Sequence, residues 1–105
     1  MNISAAAALS GVQTSQLRTD VSANDIANIN TPGYAQSTVN QTSMQPAGTQ
    51  VAAITKTPND SVTLSNTDLA TEMVELNTSK NTQSANLAVL KTQDKMTGEL
   101  IDLFA

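Results

Sequence analysis

The sequence contains no cysteine, no histidine and no tryptophan. Without Cys there is no disulfide and no thiolate nucleophile, and without His there is no imidazole acid–base chemistry. Zinc clusters of the usual kind are excluded with them. Aromatic side chains are limited to Tyr34 and Phe104. Aromatics supply much of the buried area of compact cores, so a core here must come from Ala, Leu, Val, Ile and Met. That suits thin helical packing better than a thick two-layer domain. Cations are also sparse: Arg18, Lys56, Lys80, Lys91 and Lys95 stand against nine acids, for a net charge of −4. Five scattered cations do not track a phosphate backbone, so nucleic acid is not expected as a partner. No run approaches the roughly 18 apolar residues of a membrane span, so membrane insertion is not expected. The opening "MNISAAAALSGV" has no basic residue, and Ser10 and Gly11 interrupt its apolar run. It reads as a retained helix, not a cleaved leader.

The 105 residues allow one domain, organised in three parts. Residues 1–30 have no Pro and an Ala-rich beginning, which predicts an N-terminal helix. Residues 31–66 hold all three prolines (Pro32, Pro46, Pro58) amid Ser, Thr, Gln and Asn, as a turn and linker. Within them "VAAITKT" and "SVTLS" give weak strand signals, which predict a small hairpin near residues 50–65 turning at Pro58–Asp60. Residues 67–105 again have no Pro and predict a long C-terminal helix starting near Ser65 to Thr67, with Asp68 and Glu72 in its first turns.

The C-terminal helix carries the clearest pattern. Positions 69, 73, 76, 80, 83, 87, 90, 94, 97, 101 and 104 alternate spacings of four and three, as a heptad seam does. Its apolar members are Leu69, Met73, Leu76, Leu87, Leu90, Ile101 and Phe104, with polar breaks at Lys80/Gln83 and Asp94/Thr97. A second stripe runs beside it: Ala70, Val74, Ala85, Ala88, Val89, Met96, Leu100 and Leu103. One face can pack within the chain, which leaves the other to find a partner. The N-terminal helix has two thinner stripes, Ile3/Ala6/Leu17/Val21 and Ala5/Leu9/Val12. The expected fold is mainly α: the two terminal helices pair as an antiparallel, coiled-coil-like hairpin, with a short irregular or weak β-hairpin middle.

The stretch "SANDIANINTPGY" ends the first helix. Thr31 precedes a proline and is pushed towards extended geometry. Asn28 and Asn30 tolerate capping or left-handed conformations. "TPGY" fits a type II turn with Pro32 and Gly33 at its centre. No catalytic kit is present. Ser and Thr are abundant, but no base is placed to activate them. The carboxylate pairs Glu72/Glu75 and Asp94/Glu99 read as solvated helix-surface charge. No calcium-loop pattern occurs. An enzyme, a metal site and a cofactor are therefore not expected.

The segment "LSGVQTSQLRTDVSANDIANINTPGYAQ" resembles the N-terminal motif of bacterial flagellar rod, hook and hook-associated axial proteins. Their helix leads into Ala-Asn-Asn-Ile-Ala-Asn-x-Asn-Thr-Pro-Gly-Tyr; here Asp25 stands in place of the second Asn. Residues 67–103, "TDLATEMVELNTSKNTQSANLAVLKTQDKMTGELIDL", resemble the matching C-terminal motif, without the aromatic often found before Gln-Ala-Asn. The short middle makes the chain most similar to a small proximal rod protein. The resemblance implies subunits whose terminal helices pair and line a hollow axial tube. It implies export through the flagellar type III apparatus without a cleaved signal peptide. The implied partners are copies of itself and other rod and hook proteins, in the periplasmic part of the basal body. Asn24, Ile26, Asn28, Asn30, Thr31, Pro32, Gly33 and Tyr34 would form an interface and turn motif. A second class remains open: a non-polymerising helical-hairpin adaptor, junction protein or export chaperone of the axial structure.

Overall fold

The computed structural model describes residues 3–61 and 63–104. The element order is α1 (Ile3–Ala27), β1 (Ser37–Ser43), β2 (Thr49–Lys56) and α2 (Leu69–Phe104). The two helices pack against each other antiparallel, and the strands form a two-stranded antiparallel sheet between them in the sequence. The molecule is elongated, 66 × 23 × 15 Å. At 1.5 Å per residue, α2 alone accounts for about 54 Å of that length. No helix among the described residues is long and apolar enough to cross a membrane.

Asp68 starts α2. Its Oδ1 accepts the backbone N–H groups of Ala70 (3.1 Å) and Thr71 (3.4 Å), satisfying two donors that the first helical turn leaves open. Glu72 follows in the first turn. The expected start is thus within a few residues of the observed one.

α1 is the central element, covered by α2 on one side and by the strands on another. The face towards α2 is built of small residues: Ala8, Gly11, Ser15 and Ser22 are buried in register with Arg18 and Asp25. Opposite them lie the buried or half-buried positions Glu72, Leu76, Ser79, Gln83, Asn86, Leu90 and Gln93 of α2. These also step by four and three, so the helices do meet along a heptad-spaced seam. The seam is rotated, however, from the leucine stripe read in the sequence. It shares only Leu76, Gln83 and Leu90 with that stripe, and it is mostly polar. The reason is the partner: a helix surface of Ala, Gly and Ser brings the backbones close. Small or flat polar side chains fit such a gap best: Ser79 is fully buried, whereas Leu76 and Leu90 are only half-buried. At Gly11 the approach is tightest; a Cβ there would lie 2.9 Å from Cγ of Asn86.

The hairpin lies along α1, but elsewhere in the sequence than expected. "VAAITK" does form a strand, within β2, but its partner is "STVNQTS" ahead of it. Register runs from Ser37 opposite Lys56 to Ser43 opposite Thr49, with a bulge at Ala52. The turn is therefore Met44–Gly48, not Pro58–Asp60, and it is closed by Met44 N–H to Gly48 O at 2.9 Å. Leu64 is in no strand and is exposed, and Val62 lies outside the described residues. Gly48, at φ +108°, lets the tip rest on α1: a Cβ would stand 2.8 Å from Ser10 Oγ. The same Ser10 Oγ accepts the Thr49 N–H at 3.1 Å.

Candidate functional site: the exit turn and the bare helix faces

α1 ends by tightening. Asn28 N–H reaches back to the carbonyls of Asn24 (3.1 Å) and Asp25 (3.2 Å), Ile29 to Ile26, and Thr31 to Asn28 (3.0 Å). Tyr34 N–H then bonds Thr31 O at 3.3 Å, and Gly33 has φ +73°. That is the type II turn expected of "TPGY", with Pro32 presetting one central residue and Gly33 supplying the positive φ. The Asn side chains hold this exit. Asn28 Nδ2 donates to Asn24 O (2.8 Å), and its Oδ1 accepts from Thr31 Oγ1 (3.1 Å). Asn24 Nδ2 donates to the Tyr34 hydroxyl (3.1 Å). Asn30 and Pro32 are exposed, and Ile26 is half-buried.

The centre of the site is Asp25, which is fully buried. Its Oδ1 accepts from the Tyr34 hydroxyl at 2.7 Å, and its two oxygens share the Ser37 N–H at 3.1 and 3.2 Å. One side chain thereby ties the end of α1, the turn and the first residue of β1. Burial, reinforced by the bond to Asp25 and that carboxylate's charge, pushes the Tyr34 phenol up to about 12. Glu72 comes from α2 to the same place and is buried at 5 % exposure. This corrects the reading of Glu72 as a solvated surface charge. Its neighbour Glu75 is half-exposed and pairs with Arg18 across the seam. Burial raises the Glu72 carboxyl above its ordinary range; a bond from Ser22 opposes this, and the proximity of Asp25 and Glu75 adds to it.

Two further residues that the sequence reading passed over complete the exit. Asn66 Oδ1 accepts the Gln36 N–H (2.8 Å), while its Nδ2 donates to the carbonyls of Thr57 and Pro58. Asn59 Nδ2 donates to Tyr34 O (2.8 Å) and Leu64 O (2.7 Å). A signal was available: Asn59 and Asn66 follow Pro58 in the connection between β2 and α2, where Asn amides commonly take over backbone partners.

The other half of the site is what the hairpin does not cover. Among the described residues, the buried apolar side chains are Ala5 and Ala8. Of the leucine stripe, Leu69, Met73, Leu87, Ile101 and Phe104 are exposed by 48–84 %, and only Leu76 and Leu90 are half-buried. On the second stripe Val74, Val89, Met96, Leu100 and Leu103 are exposed as well. Ile3 and Leu9 of α1 share that condition. From Asp94 to Phe104 every residue of α2 is exposed.

Fold and turn define a class: an elongated two-helix protein that buries small and polar side chains and keeps its large apolar ones outside. The turn motif falls within a segment that is similar to a known family. Residues 6–34, which run along α1 and through the exit turn to Tyr34, match the family model described as "Flagella basal body rod protein". The matched segment, residues 6–34, is thus similar to the basal-body rod family over the first helix and its exit. The C-terminal resemblance, over residues 67–103, lies outside the matched segment. No curated protein matches the chain.

Proposed function

We propose that this chain is a structural subunit of the flagellar basal-body rod, assembling through its helices into a hollow axial tube that transmits torque and passes export substrates. The observation that carries this reading is the pairing of the rod-family match at residues 6–34 with two bare apolar stripes on α2. A monomer whose buried apolar residues are alanines gains little from the hydrophobic effect. Exposed apolar faces of this extent mark sites of association. Contacts between unlike faces of successive copies propagate as a helix instead of closing.

The exposed members of the two stripes, Leu69, Met73, Leu87, Ile101 and Phe104 on one and Val74, Val89, Met96, Leu100 and Leu103 on the other, then serve as subunit contacts, while Leu76 and Leu90 of the expected seam are half-buried against α1. The turn from Asn24 to Tyr34 sets the angle at which the linker leaves α1. Residues 1–30, 31–66 and 67–105 act together as one domain. The partners are copies of this chain and neighbouring rod and hook proteins. The route is type III export to the periplasmic part of the rod. Basal bodies isolated from cells with and without this chain test the reading. The rod is expected to be missing or truncated without it; an intact, working rod would overturn it.

A further inference from the structure

Two carboxyl groups meet where α1, the exit turn, β1 and α2 converge. Asp25 is fully buried and Glu72 is 5 % exposed. Asp25 already accepts from the Tyr34 hydroxyl and the Ser37 N–H. Glu72 stands opposite Ser22 and Asp25 across the seam between the helices. Ionised carboxylates are acceptors only, so a bond between two carboxyl groups requires a proton on one of them. Like charges brought together out of water also resist joint ionisation.

Among the described residues no ion pair with a cation involves either carboxyl; Lys56 of β2, opposite Ser37 in the sheet, is exposed. On α1, Arg18 is engaged by Glu75. On α2, Glu75 adds a second negative charge facing Glu72, and Asp68 sits one turn earlier as the exposed cap. β1 contributes the Ser37 amide and carries no charged side chain. The turn contributes Tyr34, which is neutral across the ordinary pH range. We propose that Asp25 and Glu72 form a proton-sharing carboxyl pair that fastens the start of α2 to the exit of α1, firm when Glu72 is protonated and weakened when both groups are ionised.

The direction of the pH effect follows. Glu72 has a higher pKa in the folded chain than its ordinary 4.5. The stability it contributes is complete below that ordinary value and is lost as the pH rises through the raised one. The hairpin therefore loosens from acid towards neutral pH. This is opposite to a carboxylate held by a cation.

The test uses the full chain, thermally unfolded from the ordinary glutamate value of 4.5 upwards to about pH 8, above its pI of about 4.3. The wild type is expected to lose a few degrees of Tm across that range. Glu72→Gln supplies an amide donor to Asp25 without a proton, so it should flatten the slope and melt higher than wild type at the neutral end. Asp25→Asn should flatten it as well, since its amide can donate to an ionised Glu72. Carbon NMR titration of the Glu72 side-chain carboxyl in the wild type decides the matter should either variant fail to fold. A midpoint above the ordinary glutamate value supports the pair. A midpoint at or below it, or an unchanged slope in Glu72→Gln, overturns the proposal.

Discussion

The Tyr34 hydroxyl donates to Oδ1 of Asp25 across 2.7 Å, closing the chain back onto the helix it has just left. The bond holds the turn in place, and its loss has a definite size. Tyr34→Phe keeps the ring and removes one hydrogen bond to a buried carboxyl, at a cost of about 1 kcal/mol. Tyr34 also makes stability sensitive to alkali. Its folded value, near 12, is raised from 10.0, so its contribution is complete below pH 10 and is lost as the pH rises towards 12. Thermal melts of wild type and Tyr34→Phe should converge at the alkaline end of that window.

Gly11 and Asn86 should be energetically coupled. A Cβ at position 11 crowds the Asn86 side chain, with Cγ at 2.9 Å. Gly→Ala in a helix interior is otherwise favourable by up to about 1 kcal/mol. Gly11→Ala should therefore stabilise the chain in an Asn86→Ala background. In the wild-type background it should be neutral or destabilising. A double-mutant cycle of melting curves reads the difference directly.

Ser79 is fully buried on α2, and its hydroxyl has no hydrogen-bond partner. Its size, not its polarity, suits the seam against the small residues of α1. Ser79→Ala keeps the size and removes the unsatisfied group, so it should raise stability by about 1 kcal/mol. Ser79→Leu should separate the helices and lower helical content, measured by circular dichroism.

These residues also show how far the sequence could be read. The two helices were legible because proline is confined to the middle and heptad spacing persists through residues 69–104. The exit turn was legible because Pro32 and Gly33 leave the backbone little choice. The face used between the helices was not. Hydrophobic periodicity assumes that the largest side chains turn inwards. Here α1 presents Ala8, Gly11 and Ser15, and mostly small or polar residues such as Ser79 and Asn86 lie against it. The hairpin partner was missed for a related reason. "STVNQTS" is nearly all polar and lies half-exposed or exposed on α1, so no apolar alternation marks it as a strand. Glu72 looked like an ordinary helix charge and Asp25 like a replacement within the turn motif, because only tertiary packing buries them both.

A change on the bare face of α2 should separate folding from assembly. Leu87 is 49 % exposed in the hairpin. Leu87→Glu should leave the helical content of dilute protein unchanged, within about 0.5 kcal/mol of stability as for other surface substitutions. The same variant should fail to enter rods. Circular dichroism of the isolated chain and motility of cells carrying the variant measure the two effects.

The absence of cysteine offers the most direct measurement of whether the exposed stripes of α2 are subunit contacts. Single cysteines at Leu87 and Met96, on the two bare stripes, and at Ser79, inside the hairpin, would be oxidised in isolated basal bodies. Leu87→Cys and Met96→Cys should give cross-links between subunits, and Ser79→Cys should give none. Rods that contain the chain yet show no cross-link from either stripe would contradict the account.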